Sequence, residues 1–152
     1  MSRPHSSASL VFVVPLTREL VTAGRKGYTF VDVLEKDFHY FHPATGRWPS
    51  FPPAYIGFRY DGKLQSVRLV KKVVVVNDIS KLNSRWNQTS APHFVYTLGS
   101  PMKPTKAIRS TKEIFPRGGK VYCEIDTLLS GEFKTIKEAW EETKRRASHR
   151  VR

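Results

Sequence analysis

The chain has 152 residues, of which 39% are hydrophobic, so it can form one domain that buries about two-thirds of its unfolded surface. A single cysteine excludes an intramolecular disulfide and a cysteine-based zinc site, and no run of about 18 apolar residues could cross a membrane. The 26 lysines and arginines against 13 acidic residues give a net charge of +13, which repels itself unless a polyanion shares the surface. We therefore predict a cytoplasmic protein that binds DNA or RNA, rather than a membrane or an acidic protein, and that uses no cofactor.

The N-terminal third is predicted to hold up to three strands and a long loop. Ser9–Val14 is apolar and β-branched, which is typical of a buried strand. Thr17–Ala23 could form one or two helical turns, whereas Tyr28–Val33 and Phe38–Phe41 have the composition of strands. The proline-rich segment His42–Ala54 is expected to be an ordered loop rather than a regular element.

A β-hairpin gives the clearest local signal. Tyr55–Tyr60 and Lys63–Val76 flank the dipeptide Asp61-Gly62, which favours a type I′ turn because both central residues need positive φ. Neither face of the second strand is cleanly apolar at first, so we expect one side to be partly wet or to lie against a ligand. Val73–Val76 has no polar residue and is expected to be buried on both faces.

The second half alternates short elements with basic loops. Asp78 is a suitable N-cap for a short helix through about Trp86, and His93–Leu98 is a predicted strand. The segment Gly99–Arg117 is rich in proline, lysine and serine, with at most one short strand near Lys106–Arg109.

The C-terminal part is predicted to be a strand followed by a helix. Lys120–Leu129 has strand composition, and Thr135 with Glu138 forms a capping box for a helix that runs to about Ala147. The whole pattern predicts an α+β domain: a small bent β-barrel of five to seven strands with flanking short helices and a C-terminal helix. We expect this single domain to span residues 9–147, between a disordered tail (1–8) and a basic tail (148–152).

Positive charge is concentrated in the loop-rich second half. Between Lys81 and Lys120 there are eight basic residues and one acidic residue, Glu113. Loops commonly carry phosphate contacts, and a solvated charge run usually alternates in sign, which this one does not. The predicted phosphate-binding residues are Lys103, Lys106, Arg109, Lys112, Arg117 and Lys120.

Aromatic residues are concentrated between Phe38 and Tyr60, in greater number than one core layer needs. An aromatic ring can stack on a nucleobase with a gain of about 1–3 kcal/mol. The alternative is that these aromatics pin the proline-rich loop to the rest of the domain. The predicted base-binding residues are Tyr40, Trp48, Phe51, Tyr55 and Arg59.

A family resemblance accompanies these patterns. The apolar strand ending at Pro15, the aromatic-rich region, and Tyr55–Tyr60 leading into Gln65–Val73 resemble the PUA-like superfamily, with EVE and ASCH domains as the nearest types. The resemblance covers about residues 10–130. It implies a bent β-barrel with a pocket that accepts a base, sometimes a modified one. Such domains commonly accompany RNA-modifying or DNA-restricting enzymes, so a separately encoded partner enzyme is also expected.

Three other functions stay open, and no catalytic or metal site is expected in the main interpretation. Asp126, Glu132 and Lys134 have the bare spacing of a metal-dependent PD-(D/E)xK nuclease. His93 could act as a general acid or base in RNA cleavage, although a lone histidine that opens a strand is more often structural. The third possibility is a basic protein-interaction or inhibitor domain with an acidic partner.

Overall fold

The structure is a computed structural model that describes residues 9–19, 21, 27–44, 52–110 and 120–150. The chain divides into two compact units, each assembled from separate segments. Unit 1 takes its residues from the chain up to Pro15, from Pro53–Leu69 and from Pro101 onward; unit 2 comprises Leu16–Pro52 and Val70–Ser100. None of the helices in the described part of the chain has both the length and the apolarity that a membrane span requires.

The described residues form six strands and three α-helices. The strands are β1 (Leu10–Pro15), β2 (His39–Pro43), β3 (Tyr55–Tyr60), β4 (Lys63–Val76), β5 (His93–Leu98) and β6 (Val121–Glu124). The helices are α1 (Phe30–Asp37), α2 (Ile125–Leu129) and α3 (Ile136–Arg150), with a 3-10 turn at Ile79–Lys81.

The strands lie in one mixed sheet in the order β2-β5-β4-β3-β1-β6. β1 runs parallel to β3, and the other neighbouring pairs are antiparallel. The predicted α+β class and the C-terminal helix are confirmed, and the strand number falls within the predicted range. The closed barrel is not: β2 and β6 stand at the two ends of the strand order and do not pair with each other in the described residues.

The predicted hairpin is present as β3 and β4. Asp61 and Gly62 have φ values of 54° and 79°, as a type I′ turn requires, and the closing pair is Tyr60 with Lys63. A change of register between Phe58 and Arg59 interrupts the ladder. Between this shift and the turn, the hairpin follows from the local chemistry of the Asp-Gly turn alone.

One expectation about β4 holds in part and another is wrong. In its first part, Ser66 and Arg68 are 1% and 0% exposed, and the Arg68 Nε donates to the Ser66 hydroxyl at 3.4 Å, whereas Leu69 is 45% exposed. Its second part is not buried on both faces, because Val75 is 57% exposed. Val73–Val76 pairs only with β5 among the described strands, so its continuous apolar run does not mark an enclosed strand.

The predicted strand at Tyr28–Val33 is instead the start of α1. Thr29 is the N-cap: its hydroxyl accepts the Asp32 N–H at 3.1 Å, and the Asp32 carboxylate accepts the Thr29 N–H at 2.9 Å. This reciprocal capping outweighs the β-branched residues that suggested a strand. The helix ends at Phe38, whose φ of 58° is left-handed.

The predicted strand at Lys120–Leu129 also needs correction, because β6 stops at Glu124 and α2 follows. The Thr127 hydroxyl donates to the Glu124 carbonyl at 2.6 Å, which turns the chain into the helix. The Glu124 N–H donates to the Thr143 hydroxyl of α3 at 2.9 Å instead of continuing a ladder. Burial of Leu128, which is 1% exposed, holds α2 in the core of unit 1.

Other local predictions hold in part. Asp78 is the expected cap and accepts the Ser80 N–H at 3.1 Å, but only the 3-10 turn follows, not a helix through Trp86. Residues 17–19 and 21 have no helical structure, and the other three residues of the predicted helical turns lie outside the described residues.

Each unit has its own apolar core. In unit 1, β1, β4 and β6 pack against α2 and α3; the most buried side chains include Val11, Val67, Cys123 and Ile136. In unit 2, a second core consists of the buried residues Val21, Tyr28, Val33, Phe41, Ile79, Trp86 and Val95.

Candidate nucleic-acid interface

The basic segment 101–110 is fixed to unit 1 by backbone hydrogen bonds. Met102 and Val67 exchange two such bonds of 2.9 Å, and the Thr105 N–H donates to the Leu129 carbonyl at 3.1 Å. Ile108 is 1% exposed and packs into the core. The segment is therefore a fixed element with an inward anchor, although it contains only isolated β-bridges.

Arg109 lies between two other parts of unit 1. On one side it forms an antiparallel bridge with Lys63, and on the other it forms a parallel bridge with Thr135, the residue before α3. The Arg109 N–H donates to the Lys134 carbonyl at 2.8 Å, and its carbonyl accepts the Ile136 N–H at 2.9 Å. Arg109 is thus held on both sides by the backbone.

Lys63 and Arg109 face each other directly. The bonds that flank them join Leu64 N–H to the Ile108 carbonyl (3.0 Å) and Ser110 N–H to the Gly62 carbonyl (2.9 Å). They are therefore a non-hydrogen-bonded antiparallel pair, the kind in which facing side chains approach most closely, with Cβ atoms about 4.5–5.5 Å apart. Two exposed cations thus project side by side from adjacent backbone segments.

Five cations of unit 1 are exposed and have no ion pair, side-chain hydrogen bond or aromatic ring contact among the described residues, which sets them apart from Lys144 over the Trp140 ring. We call them the cation group: Lys63, Lys103, Lys106, Arg109 and Lys134. An acid does lie nearby: the Glu138 carboxylate accepts the Lys134 backbone N–H at 2.9 Å, and so serves as part of the cap of α3.

Arg145 and Arg146 of α3 contrast with this group, because acids pair with them. Arg145 donates two hydrogen bonds, of 2.8 and 2.6 Å, to Glu142. Arg146 donates two to Asp126, at 2.8 and 2.9 Å, and a third to Glu142 at 2.8 Å. These contacts lower the pKa of Glu142 to about 2 and also lower the pKa of Asp126. Glu142 and Asp126 therefore pair with arginines of α3 and not with the cation group.

The structure describes four of the six predicted phosphate-binding residues. Lys103, Lys106 and Arg109 are exposed, and Lys120 is half-buried. Lys112 and Arg117 lie outside the described residues. Sequence reasoning missed Lys63 as a site residue; its position directly after the Asp-Gly turn was visible, but its pairing with Arg109 was not.

The predicted base-binding residues are distributed over both units. In unit 2, Tyr40 is 9% exposed, and its ring centroid lies 5.8 Å from that of Tyr96. In unit 1, Tyr55 packs against the core, and Arg59 donates to the Ser110 hydroxyl at 3.2 Å, next to Arg109 in the chain. Burial lowers the pKa of Arg59. Trp48 and Phe51 lie outside the described residues.

The residues of the nuclease alternative have other surroundings. Asp126 lies on α2 and pairs with Arg146, whereas Glu132 and Lys134 are exposed in the segment between α2 and α3. In the part of the chain that the structure describes, no three or more histidines, cysteines and acidic residues are grouped so that they could hold a metal ion. The His93 Nδ1–H donates to the Ala91 carbonyl at 2.8 Å.

Comparisons with protein-family models, with curated proteins and with solved structures found no match to this chain. The resemblance to the PUA-like superfamily therefore stays a prediction. The geometry and charge of the molecule are what support a functional assignment.

Proposed function

We propose that this protein binds nucleic acid and that the cation group of unit 1 contacts backbone phosphates. The observation that carries the proposal is the direct pairing of Lys63 and Arg109 with no acid bonded to either in the described residues. Like charges that face each other on adjacent strands destabilise the fold, whereas a phosphate between them removes the repulsion.

The chemistry of the two side chains fits this role. The guanidinium of Arg109 can donate two parallel hydrogen bonds to a phosphate, and the ammonium of Lys63 supplies a compact charge beside it. Arg59 supports this end of the hairpin through Ser110. Lys103 and Arg109 are six positions apart, so their backbones can be separated by up to about 20 Å, and at that limit they would reach several phosphates of one strand.

Base contact is a second part of the proposal and falls to Trp48 and Phe51. These two are aromatic residues of a proline-rich segment, whereas Tyr40 and Tyr55 pack against other residues of their own units. A base that stacks on Trp48 requires an unpaired strand, so Trp48→Ala should weaken binding to single strands more than to duplexes. Equal loss for both would refute base stacking without affecting the phosphate contacts.

The test is the salt dependence of affinity for labelled single- and double-stranded DNA and RNA, measured by fluorescence anisotropy with the full chain. If all five cations neutralise phosphates, log K against log salt should have a slope of about −4.5 on duplex DNA and about −3.5 on single strands. An affinity for nucleic acid that does not change with salt would reject the proposal.

A matched pair of variants locates the contact. Arg109→Gln and Arg145→Gln each remove one guanidinium, but Arg145 is already paired with Glu142. Arg109→Gln should reduce the slope by about 1 and weaken binding to all sequences alike. Arg145→Gln should leave the slope unchanged, and equal slopes for the two variants would contradict the assignment.

A further inference from the structure

Unit 2 contains a cleft that the proposed function does not use. Its volume is about 300 Å³, at the lower end of the range for small-molecule sites. The cleft lies on one face of β2, β5 and the second part of β4, and its described lining includes none of the residues assigned to nucleic-acid contact.

Strand register builds the floor of the cleft from two rungs. His39 on β2 pairs with Thr97 on β5, and Thr97 pairs with Lys72 on β4, which gives a polar rung across three strands. Two residues further along, Val95 pairs with Val74, which gives an apolar rung on the same face. The floor is thus polar at one end and apolar at the other.

The polar rung is held in a fixed orientation. The His39 Nδ1–H donates to the Asp37 carbonyl at 2.6 Å, so Nε2 accepts from the Thr97 hydroxyl at 3.3 Å. Lys72 directly follows a register shift in β4, with Lys71 as the extra residue. Such bulges re-aim side chains and are over-represented beside binding sites.

Trp86 and Asp37 form a wall that is also fixed. The Trp86 indole N–H donates to the Asp37 carboxylate at 2.9 Å, and the Trp86 ring meets His39 edge-on with centroids 5.3 Å apart. The same carboxylate accepts hydrogen bonds from the Tyr28 hydroxyl at 2.5 Å and from the Arg85 guanidinium at 3.2 Å. The acid in the described lining therefore already accepts hydrogen bonds from three donors, one of which is the cation Arg85.

The remaining polar groups of the lining are donors. Lys72 makes no ion pair or hydrogen bond with its ammonium among the described residues. Asn83 uses its side-chain carbonyl oxygen to accept the backbone N–H of Arg85 at 2.9 Å, and its NH2 group has no partner within the same residues. Leu82, which is 50% exposed, adds apolar surface beside them.

We propose that this cleft binds a small organic anion in which a flat ring carries a phosphate or carboxylate group. The anionic group would accept hydrogen bonds from Lys72 and Asn83, and the ring would lie against the accessible apolar surface of Val74 and Leu82, because Trp86 and Val95 are only 2% and 1% exposed behind them. The proposal is independent of nucleic-acid binding, because it concerns other residues and another unit.

The experiment is an NMR titration of the isotope-labelled full chain, with the Trp86 indole N–H and the Thr97 amide as reporters. Adenosine monophosphate and indole-3-carboxylate test the two anionic groups, and adenosine and inorganic phosphate are controls that lack the anion or the ring. Saturable shifts with either anionic ring compound support the site and identify which anion it takes. Equal shifts with the controls, or none with both compounds, would overturn the proposal.

Three variants test the donors. Lys72→Gln should weaken binding about tenfold, as expected for the loss of one charge-assisted hydrogen bond. Lys71→Gln removes the same charge from the neighbouring exposed residue outside the described lining and should leave binding unchanged. Asn83→Asp keeps the acceptor for Arg85 but repels the anion. Equal losses in the two lysine variants would refute the assignment, and Arg109→Gln should not alter this titration.

Discussion

Neutralising either member of the Lys63–Arg109 pair is expected to raise the free energy of unfolding while it weakens nucleic-acid binding. The pair lies in direct cross-strand register, so its charges are about 6 Å apart if the two side chains extend in parallel. At that distance in water the repulsion is about 0.7 kcal/mol before salt screening. Screening reduces it to about 0.6 kcal/mol at 10 mM ionic strength and about 0.1 kcal/mol at 1 M.

A double-mutant cycle isolates this repulsion from the other effects of each substitution. The cycle uses Lys63→Gln, Arg109→Gln and the double variant, with urea unfolding measured at both ionic strengths. The first substitution of either charge should stabilise the protein more than the second, by about 0.6 kcal/mol at low salt. A coupling of zero at low salt, or one that salt does not change, would show that the two cations do not face each other.

Two further predictions concern stability. Asp37→Ala should destabilise the protein by about 2–4 kcal/mol in urea unfolding, because the Trp86 N–H and the Tyr28 hydroxyl lose their acceptor, and Asp37→Asn should cost less because one acceptor remains. Equal losses would contradict this explanation. Glu142 has a folded pKa of about 2 against an ordinary value of 4.5, so its contribution is complete above pH 4.5 and is lost as pH falls towards 2. Melting temperatures of Glu142→Gln should therefore fall less over this range than those of the unmodified chain, and parallel profiles would refute the role of Glu142.

The fold was predictable where local chemistry decides it. The Asp61-Gly62 turn fixes the β3–β4 hairpin, and the Thr135 cap marks the start of α3. The missed helix α1 also had a local signal, since Thr29 and Asp32 have capping-box spacing. The β-branched residues of that segment carried more weight in the prediction than its cap, and the structure shows the opposite order.

The candidate site was predictable in composition but not in geometry. Counting charges marked Lys81–Lys120 as basic, and three of the predicted cations in that segment, Lys103, Lys106 and Arg109, are exposed. Which cations stay unpaired depends on contacts between distant segments: Arg146 meets Asp126 on another helix, whereas Arg109 meets Lys63. Such pairings need the three-dimensional register, which local sequence patterns do not contain.

The segmented construction of unit 1 has a consequence for its synthesis. β1 is made first but takes its partners from β3 and from β6, which lies near the other end of the chain. At ribosomal rates of about 5–20 residues per second, its apolar strand waits on the order of ten seconds for β6 to be translated. During that interval Val11 and Val13 have no native cover from α2 or α3, so nascent chains are most prone to aggregate before β6, α2 and α3 have been translated.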